Sequence, residues 1–301
     1  MQLGLGTAQF GSAYGITNSN GQVSADEVLR ILHKADQSGV RSIDTAAAYG
    51  SAEAALGRAL WPGHSFRIVT KTRPIDSPNI AQNDVSSMID EFRRSLDRLG
   101  QDRVYGLLLH HGEEILRPGG ALLADSLVRL HEAGLVERIG ISCYTPHELR
   151  AACRILIPDL VQIPVNVLDR RFLDDGILAE LKSRGTEIHA RSAFLQGLLL
   201  TPCDALPRGF VRHRPAFARL EAFSGSHGLT RLELALAFLA SRPEIDIALV
   251  GVTSTRELEG IIAARQCAAS SPLAFDDLRY DDESLLIPSR WRETVSQEAG
   301  Q

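Results

Sequence analysis

The sequence predicts an α/β fold, a (β/α)8 TIM barrel. Two observations lead to this prediction. Short apolar segments rich in β-branched residues alternate along the whole chain with longer segments of helical period. The short segments also lack polar and apolar alternation, which is typical of parallel strands buried on both faces. An open, doubly wound sheet is the structural alternative, although such a sheet usually has fewer strands and two halves.

Eight segments are predicted as strands, which is the number that a closed barrel of this class requires. They comprise residues 3–7, 40–44, 66–71, 104–109, 136–141, 159–163, 186–191 and 246–250.

Helices are predicted between the strands from their end signals. Residues 24–38 begin at Ser24 with Glu27 three residues later, which predicts a capping box, and Gly39 follows the last turn. Residues 83–99 end in the same way. The glycines that follow helices here and in two later units are Gly100, Gly134 and Gly185.

One domain is predicted over residues 1–301, because no linker rich in Pro, Gly or Ser interrupts the repeat before the last thirty residues. Residues 192–212 are longer than a typical connecting loop, which is a sign of function. A C-terminal extension with weak periodicity is predicted from about residue 270.

The composition argues against several classes of protein. A net charge of -5 leaves no basic excess for nucleic acid, and no apolar segment has the length of a membrane span. The N-terminus lacks the features of a signal peptide, so we expect a cytoplasmic protein. The four cysteines form no CxxC pair, so neither a metal site nor a disulfide framework is expected. A monomer or weak homo-oligomer is the expected state.

Four polar residues stand at or just beyond the ends of successive predicted strands: Asp44, Tyr49, Lys71 and His110. In a parallel barrel these ends meet at one mouth, where active sites form. Each residue alone has an ordinary explanation as a cap, packing group or solvated strand end. Together they suit acid catalysis, since an ammonium group beside Tyr49 would lower a phenol pKa that is normally about 10. Asp44 would keep Lys71 charged and oriented.

The segments IDTAAAYGSAEAALG, IVTKT and LLLHH resemble the signature segments of the aldo-keto reductase family, and the resemblance spans nearly the whole chain. It implies that Asp44, Tyr49, Lys71 and His110 form the catalytic tetrad of a carbonyl reductase. His111 competes with His110, but the family's LLLH spacing favours His110.

The resemblance also implies a nicotinamide cofactor. In addition, a barrel often binds phosphate at the loops after strands seven and eight, where a helix starting near Ser254 would present free N–H groups. Arg256 could meet a 2′-phosphate, which favours NADPH without excluding NADH. The family's usual residues are replaced by Cys143 and by Gly260 and Ile261. The predicted cofactor residues are Ser142, Gln162, Arg191, Ser192, Phe194, Gln196, Gly197, Gly251, Thr253 and Arg256.

The predicted reaction is the reduction of an aldehyde or ketone, with a keto-sugar as one substrate suggested by the bacterial branch that the sequence resembles. Phe10, Tyr14 and the loop after strand seven are expected to shape the substrate pocket beside Tyr49 and His110. Two alternatives stay open. One is a nicotinamide-sensing binding protein with little turnover; the other is a barrel lyase or isomerase in which Lys71 forms a Schiff base.

Overall fold

Eight parallel strands close into a barrel in chain order, with the last strand paired to the first. The computed structural model describes residues 1–267 and 273–291. The predicted TIM barrel is confirmed, and the open sheet is excluded. The strands are β1 (Gln2–Gly6), β2 (Ser42–Asp44), β3 (Arg67–Lys71), β4 (Val104–Leu109), β5 (Val136–Ser142), β6 (Leu160–Pro164), β7 (Glu187–Arg191) and β8 (Ile247–Gly251).

All the predicted strands are present, with bounds shifted by up to two residues. The second strand was predicted from residue 40 but begins at Ser42. The reason lies in the preceding turn, where the Val40 amide donates to the Ala35 carbonyl and so closes the end of a helix before the strand can start.

Helices cover the outside of the barrel and also occupy its connections. Within the described residues they are α1 (Ala8–Gly11), α2 (Ala25–Gln37), α3 (Ala52–Ala59), α4 (Gln82–Leu99), α5 (Ala121–Glu132), α6 (Pro146–Ala152), α7 (Arg171–Asp175), α8 (Ile177–Ser183), α9 (Arg214–Ser226), α10 (Arg231–Ala240), α11 (Thr255–Cys267) and α12 (Glu283–Leu286).

The helix end signals are confirmed at the C-termini and half confirmed at the start of α2. The four predicted glycines all have positive φ, from 63° to 85°. Ser24 Oγ accepts from the Glu27 amide as predicted. The reciprocal half of the capping box is absent, because the Glu27 carboxylate instead accepts from the Thr255 amide at 2.5 Å. Glu27 therefore joins α2 to the start of α11.

A close backbone contact positions the loop after β2. A Cβ atom at Gly11 would lie 1.7 Å from the Tyr49 carbonyl oxygen, so only glycine permits this approach. The Ser51 amide donates to the Gly11 carbonyl at 3.4 Å. The contact holds the segment that carries Tyr49 against α1.

The described part of the C-terminal segment, residues 273–291, packs back on the barrel. Trp291 lies edge-on to Phe210 with ring centroids 5.0 Å apart, and the Arg170 guanidinium donates to the Phe275 carbonyl. Leu285 is fully buried. The rest of the predicted extension falls outside the described residues.

Two kinds of feature are absent from residues 1–267 and 273–291. No helix there is long and apolar enough to cross a membrane. No group of three or more His, Cys, Asp or Glu side chains is arranged to hold a metal ion.

Candidate active site

A cavity of about 630 Å³ opens at the C-terminal ends of the strands. Its walls come from several strand ends and from the loops after β1, β7 and β8. The sequence-predicted residues that line it are Asp44, Tyr49, His110, Ser142, Gln162, Arg191, Ser192, Phe194, Gln196, Gly197, Gly251 and Thr253. Most of the predicted site is thus brought together at one place.

Lys71 lies directly behind Tyr49, with its side chain only 1% exposed. Its Nζ donates to Asp44 Oδ1 at 2.6 Å, to the Thr45 carbonyl at 3.0 Å and to Tyr49 Oη at 3.3 Å. These contacts use all three N–H groups of an ammonium. Burial lowers the pKa of Lys71, and the Asp44 carboxylate opposes that shift. A lysine held in this way is poorly placed to attack a carbonyl as a free amine.

Tyr49 carries a protonated phenol. Burial raises its pKa well above the usual value, and the Asp44 carboxylate acts in the same direction. The expectation that Lys71 would lower this pKa is therefore not met. The physical reason is that Asp44 compensates the Lys71 charge at 2.6 Å, so desolvation of the phenolate dominates. The lysine also lies 4.8 Å from the Tyr49 ring centroid.

His110 packs edge-on against Tyr49, with ring centroids 5.7 Å apart. Burial, followed by the Lys71 charge, lowers its pKa to about 2. The imidazole is therefore neutral at physiological pH, and it can offer one N–H donor without carrying charge. His111 is absent from the residues that line the cavity, with a side chain 39% exposed beside Glu113. Geometry favours His110 over His111.

Gln162 binds the tetrad as well as facing the cavity. Its Nε2 donates to Asp44 Oδ1 at 2.7 Å, and the residue is 1% exposed. One of the two amide N–H groups is thereby committed to Asp44, so the side-chain oxygen and the second N–H are left for a ligand. Ser142, at the end of β5, is also buried and lies next in the wall.

Arg191 is held rigidly at the end of β7. Its guanidinium stacks on the Tyr144 ring at 4.0 Å from the centroid and donates to the Cys143 carbonyl at 3.1 Å. The Cys143 backbone, rather than its thiol, thus supports the predicted cofactor wall. Burial raises the pKa of the Cys143 thiol.

The loop after β7 has a strained backbone. Ser192, Leu195 and Gln196 all adopt positive φ, at 59°, 45° and 53°. Such conformations persist in non-glycine residues only where the surroundings hold them. Gln196 is held from the loop after β1: its carbonyl accepts from Thr17 Oγ1 at 3.0 Å and its Oε1 from the Ile16 amide at 3.2 Å. The two loops therefore join across the cavity mouth.

Two predicted residues lie elsewhere. Phe10 is fully buried in the core and is absent from the cavity wall, because α1 directs that position inward. Arg256 is exposed on the first turn of α11 and is also absent from the wall. Tyr14 does line the cavity, as predicted.

Sequence reasoning missed several residues of the wall. Tyr144, Asn20 and Glu257 all line the cavity. Asn20 Nδ2 donates to Thr253 Oγ1 at 2.9 Å, which ties the loop after β1 to the loop after β8. The turn-forming composition of GITNSNG was a usable signal for a functional loop, and the four-residue spacing of Thr253 and Glu257 was a usable signal for a local cap.

Comparison with known proteins identifies a family. The sequence model of the aldo/keto reductase family matches residues 2–273. An aldo-keto reductase from Strobilurus tenacellus is 27% identical over 282 residues, which are 86% of this chain and 82% of that protein. An aldo-keto reductase from Mycolicibacterium vanbaalenii is 36% identical over 140 residues, covering 43% of this chain and 45% of the relative.

Solved structures share the fold. An aldo-keto reductase from Bacillus halodurans superposes with a TM-score of 0.70 at 19% identity, covering 92% of this chain and 89% of that one. A glycerol dehydrogenase from Gluconobacter oxydans superposes with a TM-score of 0.67 at 22% identity, covering 95% and 92%.

Proposed function

The chain belongs to the aldo/keto reductase family and is an NAD(P)H-dependent oxidoreductase, and from this premise we propose that it reduces an aldehyde or ketone with Tyr49 as proton donor. The observation that carries the proposal is the buried chain of contacts from Asp44 through Lys71 to Tyr49 at the cavity wall. The phenol there still holds its proton when a substrate arrives, and Lys71 lies close enough to stabilise the phenolate that remains after proton transfer.

The proton passes from Tyr49 Oη to the carbonyl oxygen of the substrate. The Lys71 ammonium, 3.3 Å away, stabilises the phenolate as it forms, and Asp44 keeps that ammonium charged and in place. Neutral His110 donates a hydrogen bond to the same carbonyl oxygen and so orients the carbonyl group. The nicotinamide cofactor, when bound, supplies the hydride that the carbonyl carbon receives.

The described residues fit such a cofactor. Ser142 and the free oxygen of Gln162 are available to a carboxamide, and residues of the strained loop from Ser192 to Gly197 line the same cavity. A Cβ atom at Gly197 would lie 1.9 Å from Thr17 Oγ1, so the joined loops require glycine there. NADPH is the cofactor that Arg256 would favour if its side chain reached a 2′-phosphate.

We propose a keto-sugar or a sugar aldehyde as the substrate class. Tyr14 and Tyr144 line the cavity together with Tyr49, and they offer hydroxyl groups to a hydroxylated substrate. Although 44% of Tyr14 is exposed, burial of its hydroxyl end raises the pKa to about 12, so this hydroxyl remains a donor. The protein is also proposed to be cytoplasmic and to be a monomer or a weak homo-oligomer.

The test is consumption of reduced nicotinamide, followed at its absorbance band, with a panel of keto-sugars and simple aldehydes. We expect turnover, with hydroxylated substrates having the higher kcat/KM. Tight binding of NADH or NADPH with no turnover across the panel would instead support the cofactor-sensing alternative. Borohydride trapping of a substrate on Lys71 would support the Schiff-base alternative.

A further inference from the structure

We propose that Glu257 makes this enzyme prefer NADH to NADPH, because it places a carboxylate where the start of α11 meets the cavity. The inference rests on the proposed function and decides which cofactor serves it. Glu257 and its neighbour Arg256 differ in position: Glu257 lines the cavity, whereas Arg256 is exposed outside the lining.

Three N–H groups at the start of α11 are already occupied by side chains of this protein. The Thr253 amide donates to Glu257 Oε2 at 2.6 Å, and the Thr255 amide donates to Glu27 Oε1 at 2.5 Å. The Glu257 amide donates to Ser254 Oγ at 3.2 Å. A helix start binds phosphate through free N–H groups. Here a phosphate would have to displace two carboxylates to reach them.

The negative charge at the start of α11 also disfavours the 2′-phosphate of NADPH. Two carboxylates, from Glu27 and Glu257, lie at the first turn of α11. Of the cations near this turn, Arg30 pairs with Glu27 at 2.6 Å, Lys34 pairs with Glu259 at 2.9 Å, and Arg256 is exposed outside the cavity wall. Like charges brought together at a binding surface cost affinity for the wrong ligand. A 2′-phosphate would face this repulsion, and a 2′-hydroxyl would not.

The same carboxylate suits a ribose hydroxyl. Glu257 Oε1 accepts from Thr253 Oγ1 at 3.0 Å, and a carboxylate oxygen can accept a second donor. A hydroxyl supplies that donor, whereas an ionised phosphate supplies only acceptors. An acidic side chain on the 2′-hydroxyl is the usual physical basis of NADH selectivity, and an arginine on the 2′-phosphate that of NADPH selectivity.

Apolar side chains that could contact an adenine ring also line the cavity. They include Leu232, Ile261 and Pro288, and Ile261 lies with Gly260 on the same helix as Glu257. Gly260 and Ile261 stand where the family usually carries a polar pair, so apolar contact replaces polar contact here. Glu257 and these apolar side chains together suit an adenosine without a 2′-phosphate.

The experiment measures the Kd of NADH and of NADPH by fluorescence titration of the whole chain. The wild-type protein is expected to bind NADH more tightly by a factor on the order of ten, which corresponds to about 1.4 kcal/mol. Glu257→Gln should reduce that ratio several-fold, and Glu257→Arg should reverse it. Glu132→Gln, on the exposed surface of α5 and outside the cavity wall, is the control and should leave the ratio unchanged.

Thermal unfolding of each variant checks that the fold is intact, and the Gln side chain keeps an acceptor for the Thr253 amide. Tighter binding of NADPH by the wild-type protein would overturn the inference, as would a ratio that Glu257→Gln does not move. A loss of NADPH affinity in Arg256→Gln that exceeds the change in NADH affinity would also overturn it. Failure to bind either nucleotide would overturn the proposed function as well, so the two failures are distinguishable.

Discussion

The two ends of the cavity are built by different means. At the Tyr49 end, the charged pair of Lys71 and Asp44 lies on strands, with side chains 1% and 7% exposed. At the α11 end, Glu257 and Arg256 are exposed on a helix start that loops hold in place. If the proposals above hold, the difference teaches that the chemistry uses buried charges, whereas cofactor choice uses exposed residues that can change at little cost in stability.

The largest effect is expected at the buried end, from Tyr49→Phe. Removing the acid should reduce kcat by a factor of about 10² to 10⁴, the range typical of lost general acid catalysis. Nucleotide Kd and thermal stability should stay near wild type, because the ring and its packing are kept. Steady-state kinetics and a nucleotide titration measure both. His111→Gln, next to the site but outside the cavity wall, is the control. Normal turnover in Tyr49→Phe would rule out this residue as the acid.

Asp44→Asn should show how much the buried pair of Asp44 and Lys71 contributes to the free energy of unfolding. The variant leaves the Lys71 ammonium without a countercharge, so the free energy of unfolding should fall by about 3 kcal/mol. Urea denaturation measures the change. Asp90→Asn is the matched control, since Asp90 and its partner Arg93 are 60% and 66% exposed, and such pairs contribute little. Equal losses in the two variants would contradict the contrast between buried and exposed charge.

This contrast also explains what could be predicted from the sequence. The barrel strands, Asp44, Lys71 and His110 follow from local patterns, because strands buried on both faces are continuous apolar segments and active-site groups follow their ends. The partner of Glu27 could not be predicted in this way. Thr255 lies 228 residues away, so only the closed barrel brings it to the start of α2.

The sequence pointed to Arg256 as the cavity residue of α11, whereas Glu257 lines the cavity, and this difference has a simple geometric cause. Successive residues on an α-helix point about 100° apart. A shift of one residue in the phase of α11 therefore exchanges the side chain that faces the cavity. That phase depends on where α11 starts, and the Glu27 contact from another element helps to hold its start. Local sequence signals do not carry this information.

A smaller effect is expected from protonation of His110. Its pKa is lowered from 6.5 to about 2, so between these values the unfolded chain binds a proton that the folded chain does not. Stability must then fall as the pH decreases below 6.5. From pH 6.5 to about pH 5.5 the wild type should lose about 1 kcal/mol more than His110→Gln. Urea denaturation at both pH values measures this, and parallel changes would contradict a neutral buried imidazole.

The smallest effect is expected from Tyr144→Leu, in the part of the cavity wall at the end of β7. The substitution removes the ring on which the Arg191 guanidinium stacks but leaves its hydrogen bond to the Cys143 carbonyl. A partly exposed cation–π contact contributes about 0.5 to 1 kcal/mol, so nucleotide Kd should rise roughly two- to fivefold. Because Arg191 lies at the end of β7 and not on α11, where the proposed selectivity residue Glu257 lies, the ratio of NADH to NADPH affinity should not change. Titration with both nucleotides separates the two quantities. A shift in the ratio would show that the wall at β7 also selects the cofactor, and that the two ends are not independent.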